Sequence, residues 1–242
     1  MKRLRLTLLA AAFSAIVTSH AATNDFFAQG TELSRAGKFP EAATLFAKAA
    51  QAQPAAGTLV NLGLAEWQRG HAGTAILAWE QARWIDPFEA RAEANLKFAR
   101  VAAQVEVPQL KWFEALSVWL SPNGWLWLAS VSLWLTAAAM ILPRGFRWRR
   151  TGWQQFLAAA SVCVFLASMA ANFGIVSRTN IGFVLKNDVP LRLTPTQTGE
   201  VISTLAAGQP ARRLRTAGEF YLVRTVNEYG WIERHVFGLV SE

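Results

Sequence analysis

The sequence of 242 residues contains only one cysteine and three histidines, which limits the chemistry that it can support. Cys163 lies inside an apolar run, so no intrachain disulfide can form and no zinc site is expected. His20, His71 and His235 are far apart along the chain. No HExxH, CxxC, GxSxG or phosphate-loop motif occurs, and no nucleophile stands beside a suitable base. We therefore expect no enzyme, no catalytic residue, no metal ligand and no cofactor.

Charge is also scarce: charged residues make up 17% of the chain and hydrophobic residues 52%, a composition that indicates contact with lipid. The formal net charge is +8, but three basic residues lie within the first five positions and four arginines lie between residues 144 and 150. Seven of the eight net charges therefore belong to two short segments. No broad basic face remains for a phosphate backbone, so we do not expect nucleic-acid binding.

Residues 1–21 have the organisation of a secretory signal peptide. A basic start is followed by the apolar stretch Leu6–Val17, and the small residues Ser19 and Ala21 precede a cleavage site. About a dozen apolar residues are too few for a bilayer, which needs about 20. This length favours a signal peptide over the alternative, an uncleaved anchor helix, and either would export the segment that comes after it.

An internal repeat with a period of 33 residues begins after this segment. Its pattern is close to the tetratricopeptide repeat (TPR), in which two antiparallel helices form a unit of about 34 residues. Small residues would let the helices approach, aromatic residues would fill the gap between paired helices, and prolines would end the second helix. Two ordinary amphipathic hairpins are the alternative. The equivalent positions are Gly30 and Gly63, Gly37 and Gly70, Ala42 and Ala75, Phe46 and Trp79, Ala49 and Ala82, and Pro54 and Pro87.

Residues 22–105 are thus predicted to form a TPR array, with Glu89–Gln104 as a capping helix whose alanines, Leu96 and Phe98 share one side. The concave face of such an array is formed by the first helix of each unit, and here it lacks the lysine and arginine set that would hold a terminal carboxylate. We predict that it binds an apolar or extended protein partner; packing on the cap or on a second copy is the alternative. The predicted partner-binding residues are Phe27, Val60, Leu64 and Trp67.

Two long apolar runs, Trp125–Leu142 and Phe156–Val176, are each long enough to span the hydrocarbon core of a bilayer. The loop of residues 143–152 between them holds four arginines and no acid, and such loops stay cytoplasmic. Residues 125–176 are therefore predicted to form a two-helix hairpin in a bacterial inner membrane, with both flanking domains extracytoplasmic. A buried pair of core helices is the alternative. Residues 106–124 are predicted to form an interfacial helix and a linker.

From residue 180 onward, six short runs of strand-forming residues alternate with turn residues, which is typical of a small antiparallel barrel. Residues 180–242 resemble bacterial SH3-like domains, and we predict an aromatic patch there for an extended ligand such as peptidoglycan. Alternatively, the tryptophan and one tyrosine fill the core. The segments that carry the resemblance are Leu191–Pro195, Gly199–Ile202, Leu205–Gly208, Phe220–Arg224 and Gly230–Ile232, and the patch residues are Tyr221, Tyr229 and Trp231.

The order of these segments, together with residues 73–87 and 94–100, resembles the BatE-type proteins of bacterial aerotolerance operons. The resemblance implies a multidomain membrane protein with an α-helical TPR array, two transmembrane helices and a small all-β SH3-like barrel. It also implies a non-enzymatic scaffold for envelope stress tolerance, with von Willebrand A domain membrane proteins and a MoxR-type ATPase system as partners. A peptidoglycan-binding sensor and a purely structural subunit are the other functions that stay open.

Overall fold

The computed structural model describes residues 25–145 and 152–241, so the predicted signal peptide and most of the arginine-rich loop lie outside the described residues. The described chain forms two compact units. The first joins the residues up to Val107 with Gly182–Val240, and the second consists essentially of Pro108–Ile181. The helices are α1 (residues 25–35), α2 (Phe39–Ala52), α3 (Ala56–Gln68), α4 (Ala72–Ile85), α5 (Ala90–Ala103), α6 (Trp112–Ser117), α7 (Pro122–Gly145) and α8 (Gly152–Arg178).

The 33-residue repeat corresponds to two helical hairpins, α1–α2 and α3–α4, with matching internal packing. Phe46 and Trp79 are fully buried, and each ring lies against a glycine of the preceding helix. A Cβ atom at Gly30 would lie 2.9 Å from Phe46 Cε1, and one at Gly63 would lie 2.7 Å from Trp79 Cδ1. The aromatic ring therefore occupies the space that a side chain on the facing helix would need.

The turns of the two hairpins also match. Gly37 and Gly70 come after the first helix of each hairpin with φ angles of 73° and 80°, a left-handed conformation that glycine adopts without steric cost. The second helices end at Ala52 and Ile85, just before the aligned prolines. Four alanines at equivalent positions are completely buried where the helices meet: Ala42, Ala49, Ala75 and Ala82.

Residues 181–239 form a seven-stranded sheet with the strand order β3-β2-β6-β5-β4-β1-β7. The three-residue strand β7 was not predicted; it comes after a short 3-10 turn and pairs antiparallel with β1. The side chains on one face form a core that includes Leu191, Val223 and Ile232. The strands are β1 (Ile181–Val184), β2 (Val189–Arg192), β3 (Val201–Leu205), β4 (Pro210–Ala217), β5 (Phe220–Arg224), β6 (Tyr229–Glu233) and β7 (Phe237–Leu239).

Helix α4 packs against the sheet as well as against α3, and so joins the helical hairpins and the sheet into the first unit. The contacting residues recur every three or four positions and therefore form one stripe along the helix. At the start of the stripe, Gly73 has no side chain between the helix and the β1 backbone. The contacts are Gly73 with Val184 and Leu185, Ile76 with Gly208, Leu77 with Gly238, and Gln81 Nε2 donating to the Leu239 carbonyl oxygen at 3.2 Å.

In the second unit, α7 and α8 pack against each other, and both are long and apolar enough to cross a membrane. Only 11% and 17% of their most apolar stretches are buried within the protein, which disfavours the alternative of a pair of soluble core helices. The two helices extend a few residues beyond the predicted spans at each end, from Pro122 to Gly145 and from Gly152 to Arg178.

The short helix α6 is fixed to the last turns of α8 by a buried polar cluster. The Glu114 side chain is completely buried and accepts a hydrogen bond from Ser177 Oγ at 2.5 Å. Ser117 Oγ donates to the Glu114 carbonyl oxygen and accepts from Arg178 Nη1. The same segment exposes Trp112 and Trp119, each two positions away from a residue of the buried cluster. The interfacial position of this helix stays a prediction.

Candidate partner-binding surfaces

The residues predicted for the concave helical face have different environments. Phe27 is half-buried against Phe46, with 5.8 Å between the ring centroids, and lies beside an open depression of about 660 Å³ on α1. Val60 is completely buried, and its carbonyl oxygen accepts a hydrogen bond from Trp79 Nε1 at 3.1 Å. Val60 therefore cannot contact a partner, and that part of the prediction is wrong because this turn of α3 is covered by α4.

Leu64 and Trp67 remain accessible and belong to a larger apolar surface. Leu64 is 41% exposed, and the half-buried Trp67 ring lies between Trp79 and Phe98, with centroid distances of 6.0 and 5.7 Å. Phe98 is itself 62% exposed, and Val101 lies one turn later on α5 and is also exposed. We call Leu64, Trp67, Phe98 and Val101 the α3–α5 patch.

The capping helix does not have the orientation that we predicted. Leu96 is completely buried, whereas Phe98 faces solvent and contacts Trp67. Residues two positions apart lie on nearly opposite sides of a helix, so these two cannot share a buried face. The prediction that they share one side is wrong, and Phe98 belongs to the α3–α5 patch.

The three aromatic residues predicted for the sheet do not form one patch, because the strand register places them on two faces. Tyr221 lies opposite Ile232, and Leu222 lies opposite Trp231. Tyr221 is only 4% exposed and packs in the core, with the guanidinium groups of two arginines over its ring. Its prediction as a ligand-binding residue is wrong, and its burial agrees with the alternative in which one tyrosine fills the core.

Tyr229 and Trp231 project from the opposite side of the sheet. Tyr229 is 67% exposed and Trp231 is half-buried. Four arginines lie on the same side, because residues directly opposite each other on neighbouring strands point to the same face. The pairs are Arg192 with Trp231, Arg224 with Tyr229, Arg212 with Arg224, and Arg215 with Leu222. We call this side the outer sheet face. The sequence analysis did not identify these arginines as a group, because the net charge of this segment is small. The available signal was the alternation of side-chain direction along a strand, which puts Leu222 and Arg224 on one face and Val223 on the other.

Ionic contacts are mostly local in the first unit. At the turn between α3 and α4, Glu66 accepts a hydrogen bond from Arg69 and pairs with His71. At the start of α5, Arg91 donates side-chain hydrogen bonds to the Glu89 carboxylate and thereby lowers the pKa of Glu89. Within residues 25–145 and 152–241, no three histidine, cysteine, aspartate or glutamate side chains are placed to hold a metal ion.

No family model matches the chain, and no curated protein matches it either. The functional assignment therefore depends on the chemistry of the α3–α5 patch and the outer sheet face.

Proposed function

We propose that this protein is a non-enzymatic scaffold, anchored in a membrane by α7 and α8, that binds a partner protein through the α3–α5 patch. The observation that carries the proposal is the group of large apolar side chains exposed side by side on two helices. Aromatic residues that are rigidly supported and partly exposed supply much of the energy at protein interfaces. The Trp67 ring has this character, because Trp79 supports it from inside and Phe98 from the side.

The chemistry of the patch suits an apolar segment of the partner. All four of its side chains are apolar, and the ion pair between Arg100 on α5 and Glu80 on α4 is largely buried. A partner helix with apolar residues at successive turns would cover this surface, as in other helix-in-groove complexes. We infer that the two hairpins are TPR-type units with α5 as their cap, and that the sheet is an SH3-like domain.

The proposed topology places the helical hairpins and the sheet on the extracytoplasmic side of a bacterial inner membrane. The arginine-rich loop and the N-terminal signal sequence support this orientation. The packing of α4 on the sheet supports a paired crossing but does not tell the two sides of the membrane apart. A single crossing would put the two halves of the first unit on opposite sides, whereas two crossings return the chain to the side from which it started.

The resemblance to BatE-type proteins extends the proposal to specific partners. Membrane proteins with von Willebrand A domains and a MoxR-type ATPase system are the candidates, and assembly of an envelope stress or aerotolerance complex is the corresponding role. Under this proposal the partner meets the patch outside the membrane, so the ATPase would act through an intermediary membrane protein.

Site-specific photo-crosslinking tests the binding surface. A photoreactive amino acid at position 98 should crosslink one defined membrane protein in cells, whereas the same probe at Phe88, which is exposed on the turn before α5, should not. The double variant Leu64→Ser and Phe98→Ser should weaken capture of that protein by more than about tenfold, since truncating a hot-spot residue costs about 2 kcal/mol or more. Phe88→Ser is the matched control.

Two results would contradict the proposal. One is equal capture by the double variant, shown to be folded by an unchanged melting temperature. The other concerns topology: protease added to spheroplasts should cut both flanking segments and leave the arginine-rich loop intact, and the reverse pattern would refute the orientation.

A further inference from the structure

The outer sheet face has a regular arrangement of arginines around an apolar centre. One row across the strands consists of Arg192 on β2, Trp231 on β6, Leu222 on β5 and Arg215 on β4. The next row consists of Tyr229, Arg224 and Arg212. Neighbouring strands are about 4.8 Å apart, so the arginines at the two ends of the first row are separated by about 14 Å along the sheet.

This arrangement is unfavourable for the sheet alone. Arg212 and Arg224 are directly opposite each other, and like charges in that position destabilise a strand pair. Neither row contains an aspartate or a glutamate. Arg215 and Arg224 are exposed, and neither forms an ion pair with another described residue. Glu233 lies one row further along β6 on the same face, but its carboxylate pairs with His235. Arg215 and Arg224 are thus the two exposed charges that a ligand of the opposite sign would explain.

The core beneath the face keeps these side chains at fixed spacing. Tyr221, Val223 and Ile232 alternate with the outward-facing residues on β5 and β6 and are buried. On β2, Arg192 Nη1 donates to the Gly199 carbonyl oxygen at 2.9 Å, which holds that side chain at the edge of the face. The sheet therefore fixes the points from which these side chains extend, and the hydrogen bond to Gly199 also orders Arg192 before any ligand binds, which lowers the entropic cost of binding.

The residue types identify the class of ligand. Guanidinium groups bind carboxylates through two parallel hydrogen bonds. Arginine, tyrosine and tryptophan are enriched at protein interfaces, where lysine and glutamate are depleted, and the two rows contain no lysine. An extended chain suits an open face whose binding groups repeat at strand spacing.

We propose that the outer sheet face binds an extended acidic segment of a partner protein. Carboxylates of that segment pair with Arg215 and Arg224, and its apolar side chains cover Leu222 and Trp231. This site lies on different elements from the α3–α5 patch, so it goes beyond the proposed function and does not depend on it.

Peptide binding to the purified full-length protein in a neutral detergent tests the proposal. The probe is a short fluorescent peptide in which aspartate alternates with valine, and its partner is the same peptide with lysine for aspartate. Fluorescence anisotropy should show binding of the acidic peptide only. The double variant Arg215→Glu and Arg224→Glu should weaken this binding at least about tenfold, because two charge-assisted contacts are lost.

The matched control is Arg35→Glu with Lys48→Glu, two exposed basic residues on α1 and α2, which should leave the affinity unchanged. Leu64→Ser with Phe98→Ser should also leave it unchanged, which separates this site from the α3–α5 patch. Arg224→Glu alone should not lower the melting temperature, because it replaces a repulsive pair with an attractive one.

The proposal is overturned if the acidic and basic peptides bind equally, or if the double variant retains full affinity for the acidic peptide. It is also overturned if the protein does not bind the acidic peptide but binds purified sacculi or phosphatidylglycerol vesicles, and if that binding is lost in the Arg215→Glu and Arg224→Glu double variant. The face would then recognise the cell wall or lipid instead of protein.

Discussion

One glycine at the start of α4 provides the most direct test of how the helical hairpins join the sheet. A Cβ atom at Gly73 would lie 2.6 Å from the Leu185 carbonyl oxygen and 2.7 Å from the Leu185 carbonyl carbon. These are backbone atoms that cannot rotate aside, as a flexible side chain would. The variant Gly73→Ala must therefore push α4 and β1 apart by several tenths of an ångström.

The chain offers an unusually close control. Gly57 is the second residue of α3 as Gly73 is the second residue of α4, and both stand between an alanine and a threonine. A Cβ atom at Gly57 would meet only Arg91 Nη2, at an ordinary 3.6 Å. Replacing glycine by alanine favours the helix by up to about 1 kcal/mol at either site. The propensity change therefore cancels when the two variants are compared.

The remaining difference between the two variants is steric. Forcing an extra carbon into a packed contact costs about 1–3 kcal/mol, so we expect Gly73→Ala to be less stable than Gly57→Ala by that amount. Each kcal/mol corresponds to about 2–8 °C in melting temperature for units of this size. Thermal unfolding of the full-length protein in detergent, followed by circular dichroism, would show the difference. Equal melting temperatures for the two variants would refute the packing of α4 on β1.

Three further variants have definite expected outcomes. Gly63→Ala should lower stability by about 1–3 kcal/mol, because its Cβ would press on the buried Trp79 ring; near-UV circular dichroism should lose intensity. Glu114→Ala leaves the Ser177 hydroxyl without its acceptor and should cost about 1–3 kcal/mol, with faster proteolysis around α6. Glu89→Gln should lower the melting temperature at neutral pH. Folding lowers the pKa of Glu89, so the ionised carboxylate stabilises the fold above the ordinary pKa of 4.5. This stabilisation disappears as the pH falls through the folded pKa. The melting temperatures of the variant and of the unchanged protein should therefore become equal in acid.

Features of the fold that depend on local spacing could be predicted from the sequence. The 33-residue period predicted that Phe46 and Trp79 fill equivalent gaps between paired helices, and both rings do so; that each lies against a glycine, Gly30 or Gly63, became visible only in the structure. Long uncharged runs likewise predicted α7 and α8, because only length and polarity decide whether a helix suits a membrane.

The errors at the candidate surfaces have two kinds of cause. Leu96 and Phe98 are two positions apart, so the helical period alone already places them on nearly opposite sides of α5. The burial of Val60 and Tyr221 depends on the residues that pack against them from elsewhere in the chain, and no local pattern shows it. The arginine rows on the sheet are also non-local, because they exist only once the register brings four strands together.

The helical hairpins and the sheet pack together through α4, which no local sequence pattern could show. This packing decides how one partner could bind the α3–α5 patch and the outer sheet face together. Helix α4 is apolar on most of its circumference, with Ala75 and Ala82 among its buried residues, because it contacts α3, α5 and the sheet at once. The α3–α5 patch lies on helices packed against α4, and the outer sheet face belongs to the sheet that α4 also contacts. Under the two proposals, a partner that reaches both sites would therefore bind the second at a fixed and high effective concentration. A partner too short to reach both would gain nothing from their connection, so the length of the partner segment would decide whether the two sites act as one.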